Sequence, residues 1–87
     1  MERKIVNVYV MSREQCSNIS IDRAIEILSK EIESYRILDK RCSAVVPNLA
    51  MVRVEVPMNK DIDGGALEHK LMESGFTWVK VELVVIR

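Results

Sequence analysis

Apolar and polar residues alternate with period two along four segments of the chain, and this pattern predicts four β-strands. The predicted strands are Lys4–Met11, Ile37–Cys42, Met51–Val56 and Val79–Ile86. In three of them aliphatic residues alternate with polar or charged ones, so each of these strands has one buried and one exposed face. The positions predicted to face the core are Val6, Val8, Val10, Val52, Val54, Val56, Val79, Val81, Leu83 and Val85.

Between the first two predicted strands, apolar residues recur at helical spacing, which predicts an amphipathic helix. The residues of this apolar stripe are Ile21, Ala24, Ile25, Leu28, Ile32 and Tyr35. Ser20 is predicted to be the N-cap, and Asp22 places negative charge in the first turn, where the helix dipole favours it. The preceding segment, from Ser12 to Ser20, lacks periodicity and is predicted to be a loop.

A second, shorter helix is predicted between the third and fourth strands. Asp63 is its expected N-cap, Leu67 and Leu71 are its buried positions, and Gly75 suits the left-handed residue that follows many helices. Phe76, one residue later, is expected to make the apolar contact that accompanies such a stop, with Trp78 packing at the edge of the core. Further back, Pro47 and Asn48 predict the turn between the second and third strands.

The predicted order is strand, helix, strand, strand, helix, strand, which is the split βαβ pattern of the ferredoxin-like fold. We therefore expect an α+β protein with a single domain over residues 1–87. It should be a two-layer βαββαβ sandwich, in which two helices cover one face of a four-stranded antiparallel sheet. The other face carries mixed charges, such as Arg53, Glu55, Lys80 and Glu82, and is expected to be solvated.

The charge balance restricts the partners of this domain. Thirteen basic and thirteen acidic side chains give a net charge of zero, whereas binding to nucleic acid or an anionic membrane needs a basic surplus. The chain also shows neither a membrane-spanning apolar run nor a signal-peptide pattern. The two cysteines, Cys16 and Cys42, form no metal-ligand motif and are expected to be reduced thiols in a cytoplasmic protein.

The sequence shows no catalytic, cofactor or metal site. His69 has no second ligand at metal-binding spacing, and Asp61 and Asp63 are better explained as turn and cap residues. Two known activities of this fold are disfavoured as well. The loop after the first strand has Arg13 but lacks the glycine of acyl-phosphate hydrolases, and Tyr9 alone does not make the aromatic platform of RNA-recognition domains.

Three groups of residues resemble the archaeal translation elongation factor one-beta family along the whole chain. Val8-Tyr9-Val10-Met11 is similar to the family's first strand. Val54-Glu55-Val56 followed by Asp63-Gly64-Gly65 is similar to its third strand and the acidic Gly-Gly turn. Val79-Lys80-Val81-Glu82 and the terminal Val85-Ile86-Arg87 are similar to its C-terminal end. In the turn before the third strand this chain keeps a proline, but it has Asn48 and Leu49 where the family usually has Phe-Gly.

The resemblance implies a guanine nucleotide exchange factor, which is not itself an enzyme, in protein biosynthesis. Its protein partner would be the elongation factor one-alpha GTPase, and no cofactor, nucleic acid or membrane would take part. It would promote GDP release by disturbing the magnesium and phosphate contacts of the GTPase. The partner-binding residues it implies are Pro47, Asn48 and Leu49 in the loop and Arg87 at the end. The chain would be a monomer or a weak homo-oligomer.

An alternative reading of the same fold is a small ligand-binding or oligomerising regulatory module without catalytic activity. Edge strands of such sheets can pair across dimers, and the apolar Val84 and Ile86 would then lie in the contact.

Overall fold

The computed structural model describes residues 2–87 and contains six elements in the predicted order. They are β1 (Arg3–Met11), α1 (Asn18–Glu31), β2 (Arg36–Cys42), β3 (Leu49–Val56), α2 (Gly64–Glu73) and β4 (Trp78–Ile86). Neither helix of this described part is both long enough and apolar enough to cross a membrane. The predicted α+β, ferredoxin-like fold class is confirmed.

The four strands form one antiparallel sheet in the order β2-β3-β1-β4, so β1 and β3 are central and β2 and β4 are edges. Val8 of β1 lies opposite Val52 of β3 on one side and Val81 of β4 on the other. This register aligns the inward positions of the three strands into rows on the face that the helices cover. The opposite face is open, and we call it the open face.

The core lies between the sheet and the two helices. The central strands contribute valines at alternate positions, as the pattern predicts, and the helices contribute their apolar stripes. The buried core residues are Val6, Val8, Val10, Ile21, Ala24, Leu28, Ile32, Ala50, Val52, Val54, Val56, Leu67, Leu71 and Phe76.

Helix α1 begins three residues earlier than the sequence predicts. Ser17, not Ser20, is its N-cap residue, and Ser20 is buried within the first turn. The chain is anchored just before this point, because the Cys16 amide donates a hydrogen bond to the Pro47 carbonyl, and it enters the helix directly from that anchor. Asp22 therefore lies beyond the first turn. The helix ends at Glu31, so Tyr35, the last residue of the predicted stripe, packs against the core from outside it.

The signals predicted for α2 are confirmed. The Asp63 carboxylate accepts a hydrogen bond from the Ala66 amide at 3.1 Å, as an N-cap should. Gly75 has a φ of +112°, a conformation that side chains with a Cβ rarely adopt, and it follows the last turn of the helix. Phe76 is buried in the core next to this stop.

The C-terminal half of β4 differs from the prediction. Val79 and Val81 pack against the core under α2, but Leu83 and Val85, which point to the same face, are exposed. Helix α2 covers only the first half of the strand, and the side of the sheet beyond it is uncovered. The strand pattern therefore gave the correct direction for these side chains but not their burial.

The cysteines also differ from the prediction. Cys16 and Cys42 form a disulfide, with their Cα atoms 5.8 Å apart and a sequence separation of 26. The expectation of two reduced thiols is wrong because the 12–17 loop folds back over the end of β2, where Cys42 lies. Residues this far apart in sequence meet only through the tertiary structure.

Candidate functional site

Two loops and one tryptophan lie together where β1 ends, and we call this region the loop end. It consists of residues 12–17, residues 43–48 and Trp78. Met11, the last residue of β1, pairs with Leu49 at the start of β3 and with Trp78 at the start of β4. The antiparallel register therefore brings both loops to the same edge of the sheet.

Backbone hydrogen bonds hold the two loops against each other. The Ser12 amide donates to the Asn48 carbonyl at 3.1 Å, and Asn48 Nδ2 donates back to the Ser12 carbonyl at 2.8 Å. The Cys16 amide donates to the Pro47 carbonyl at 2.8 Å. Asn48 thus satisfies the backbone of the neighbouring loop with both its main chain and its side chain. Its role in this structure is to position the two loops.

The 43–48 loop also carries its own internal bonds. Ser43 Oγ accepts hydrogen bonds from the amides of Val45 and Val46, at 3.1 and 3.0 Å, and the Leu49 amide donates to the Val46 carbonyl. A serine side chain that binds amides two and three residues ahead restricts the turn. Together with the Cys16–Cys42 disulfide, these bonds give the loop end a defined shape.

The loop end exposes large apolar side chains. Val45 is 87% exposed at the tip of the 43–48 loop, and Trp78 is 45% exposed at the start of β4. The prediction that Trp78 packs at the edge of the core is therefore wrong. The strand alternation places Trp78 on the open face together with Lys80 and Glu82, and this was the signal in the sequence for its exposure. Exposed aromatic and aliphatic side chains on rigid loops are typical of protein-binding surfaces.

The four predicted site residues do not lie together. Pro47 and Asn48 lie in the loop end, and Leu49 follows them as the first residue of β3; Pro47 is exposed and the other two are half-buried. Arg87 follows Ile86, which pairs with Arg3 at the opposite end of β1. The nine residues of β1 run from one end to the other in eight steps, a span of roughly 26 Å at about 3.3 Å per step. The loop residues and Arg87 therefore belong to different surfaces.

The open face carries a shallow depression beside the centre of the sheet. Its lining includes Asn7, Tyr9, Asp39, Arg41 and Arg53. Asn7 is buried, and its side-chain oxygen accepts a hydrogen bond from Arg53 Nε at 2.9 Å, while Arg41 pairs with Asp39 at 3.4 Å. Arg53 thus binds Asn7 across β3 and β1, whereas Arg41 and Asp39 pair along the same strand, β2. The face carries the predicted mixture of charges, but Asn7 is buried in it.

The strongest electrostatic cluster is also on the open face, away from the loop end. Glu55 accepts hydrogen bonds from Arg3 at 3.0 and 3.1 Å and from Arg36 at 2.6 Å. The hydrogen bond from Arg3, and then that from Arg36, lower the pKa of Glu55 from its ordinary value of 4.5 to about 2. The same hydrogen bond raises the pKa of Arg3. The cluster ties β1, β2 and β3 together and is structural.

We predict that Glu55→Gln weakens the dependence of stability on acidic pH. A carboxylate whose pKa is lowered on folding stabilises the native state above its unfolded pKa, and this contribution is lost as pH falls from about 4.5 to about 2. The stability difference between the wild type and Glu55→Gln should therefore be largest above pH 5 and shrink below pH 4. Urea unfolding at pH 6 and pH 3 measures it, and an equal difference at both pH values would contradict the assignment.

The chemistry available at these sites favours recognition. Among residues 2–87, no three His, Cys, Asp or Glu side chains lie close enough together to hold a metal ion. His69 lies on the exposed side of α2, where its Nε2 is 3.0 Å from Glu73 Oε1, one helical turn away. The loop end offers a rigid backbone, a proline and exposed apolar side chains. This combination can bind a protein surface.

The sequence was also compared with known proteins. No protein-family model matches it, and the search of curated proteins finds no significant match. The fold and the loop end therefore define the class of this protein, which is a ferredoxin-like domain with a disulfide-braced, partly apolar loop surface.

Proposed function

We propose that this chain is a guanine nucleotide exchange factor for the elongation factor one-alpha GTPase and that the loop end is its contact surface. The proposal rests on the resemblance of its strand and turn motifs to the elongation factor one-beta family. The observation that carries it is the loop end itself, where the proline-containing loop presents Val45 from a backbone fixed by Asn48 and the disulfide. A preorganised loop loses little conformational freedom when it binds.

The proposed mechanism needs no covalent chemistry. The domain binds the GTPase more tightly when its nucleotide site is empty than when GDP is present. By linkage, the same free-energy difference lowers the affinity of the GTPase for GDP and releases it. Arg87 lies at the other end of the sheet, so the loop end makes this contact without it.

We predict that Val45→Asp slows GDP release at least tenfold, because a charge replaces an exposed apolar side chain at the centre of the proposed contact. The measurement is release of a fluorescent GDP analogue from elongation factor one-alpha, with and without the purified chain. Met58→Asp is the matched control, since Met58 is 42% exposed but follows β3 at the opposite end of the sheet. A full replacement of Pro47–Leu49 is unsuitable, because it would also remove the bonds of Asn48.

Three outcomes separate the possibilities. Failure of the wild-type chain to accelerate release would end the exchange proposal. Acceleration that Val45→Asp leaves unchanged would place the contact elsewhere, and a loss with Arg87→Ala would locate it at the far end of the sheet.

A further inference from the structure

Helix α2 covers the first half of β4, and the second half of this edge strand is uncovered. Helix α2 lies against the first half, where Gly64 approaches the side chain of Val81. In the second half, Leu83, Val84, Val85 and Ile86 are between 37 and 49% exposed, and they point alternately to both faces of the sheet. Four consecutive exposed apolar residues on an edge strand form a surface that can pair with another strand.

A side chain of α2 marks the boundary between the two halves. The Val81 amide donates a hydrogen bond to Glu68 Oε2 at 2.8 Å. Val81 N–H therefore points away from β1, and by the alternation of an antiparallel ladder the amides and carbonyls of Leu83 and Val85 point the same way. Glu68 occupies the outer edge at Val81, and the backbone groups of Leu83 and Val85 lie on the same edge beyond it.

The other edge strand of the sheet, β2, has features that prevent pairing with another strand, and the second half of β4 lacks them. Strand β2 has an irregularity in register between Ile37 and Asp39, followed by the charged run Asp39-Lys40-Arg41. Bulges and charges are the devices that prevent edge-to-edge association. The β4 strand of one copy therefore cannot pair with the β2 strand of another, a contact that would repeat from copy to copy into an open-ended polymer. The remaining possibility is that β4 pairs with β4 of a second copy.

We infer that two copies of this chain associate through β4, antiparallel, about a two-fold axis at Val85. In this register Val85 lies opposite Val85 of the second copy, and Val84 lies opposite Ile86 of the second copy on the open face. The N–H and C=O groups of Val85 point to the outer edge of β4 in both copies, as those of the other odd-numbered residues do. They can therefore form hydrogen bonds across the axis. Val84, Val85 and Ile86 each meet an apolar residue across the axis, and Leu83 lies opposite Arg87 of the second copy, so the centre of this segment is self-complementary.

The position of α2 favours this register over one centred on Val81. An axis at Val81 would displace Glu68 and bring the two α2 helices onto the same stretch of paired strands. With the axis at Val85, the two Val81 residues lie eight strand positions apart, or roughly 27 Å along the strands, so each helix remains clear of the other. The contact is short and buries well under about 1,000 Å² in total, so we expect a dissociation constant on the order of 100 µM.

Sedimentation velocity of the wild-type chain from 5 to 500 µM tests the dimer. The mass should rise from monomer to dimer, and Val85→Lys should raise the dissociation constant at least tenfold, because the two introduced charges face each other on the axis. Met72→Lys is the control, since Met72 is 52% exposed on α2 and should not affect association. A wild type that remains monomeric at 500 µM, or that forms species larger than dimers, would overturn the inference.

A cysteine scan tests the register. Across an antiparallel hydrogen-bonded pair the Cα atoms are about 5.5 Å apart, which suits a disulfide. Under mild oxidation with the native disulfide intact, Val85→Cys should cross-link to itself at least tenfold faster than Ile86→Cys, whose counterpart is Val84. Equal rates, or faster linkage by Ile86→Cys, would overturn the register, and a dimer insensitive to Val85→Lys would locate the interface away from β4.

Discussion

Replacing Cys16 and Cys42 together with alanine should lower the free energy of unfolding by about 3.5 kcal/mol. The disulfide closes a loop across a separation of 26 residues, and chain-entropy theory assigns a cross-link of this length that stabilisation through the unfolded state. For a domain of 87 residues, the midpoint of thermal unfolding should fall by roughly 15–25 °C. A loss of about 3.5 kcal/mol is a large share of the free energy of unfolding of a typical domain, which is about 5–15 kcal/mol.

Urea unfolding of the oxidised wild type, the reduced wild type and the double variant measures this effect. Reduction of the wild type should reproduce the loss seen in the variant, while a reductant should leave the variant unchanged. A variant as stable as the oxidised wild type would show that the cross-link contributes nothing. Single replacements are less informative, because each leaves one free thiol.

Truncating Leu71 to alanine is the second large effect that we expect, with a loss of about 2–5 kcal/mol. Leu71 is fully buried on α2, in contact with the core between the helices and the sheet. The change removes buried apolar area and leaves a cavity that the surrounding side chains fill only in part. A chain of this size buries only about 60–65% of the surface that its unfolded form exposes, so few other residues can compensate.

The neighbouring residue provides the control. Met72→Ala changes the same helix one position later, but Met72 is half-exposed, so the loss should stay below about 0.5 kcal/mol. Chemical unfolding of both variants beside the wild type makes the comparison. Similar losses at the two positions would contradict the assignment of the effect to core packing, because alanine has the highest helix propensity and neither change weakens the helix by that route.

The disulfide connects the stability of the fold to the proposed function. It joins the 12–17 loop to the end of β2, beside the loop that presents Val45. Its loss should therefore loosen the loop end before the core, and any exchange activity should fall in the reduced protein even below its unfolding temperature. Stability and surface shape are thus linked at this end of the sheet.

Parts of this structure could be predicted because they depend on local patterns. The alternation around Val52 and Val54 sets which side chains share a face, and the buried valines of β1 and β3 follow from it. Asp63 and Gly75 act on backbone groups within a few residues, so the sequence also predicts their roles at the start and the end of α2. The prediction of Ser20 as the N-cap of α1 is wrong because the start of this helix depends on the hydrogen bond between Cys16 and Pro47, which lies in another loop.

The candidate site was only partly predictable for the same reason. Pro47 and Asn48 mark a turn in any context, so the loop could be identified from the sequence. The bond of Asn48 to Ser12 depends on strands that are distant in sequence. The separation of this loop from Arg87 depends on the register of β4 against β1.

The amino-acid sequence by itself determined the order of strands and helices and the direction of most side chains, because both follow from periods of two and 3.6 residues. Only the tertiary structure decided which of those side chains are covered. Leu83 points toward the helical layer but is exposed because α2 does not reach it, and Cys16 meets Cys42 because two loops converge at one end of the sheet. Burial and proximity are properties of neighbours that lie far apart along the chain, and a local pattern carries no information about their distance.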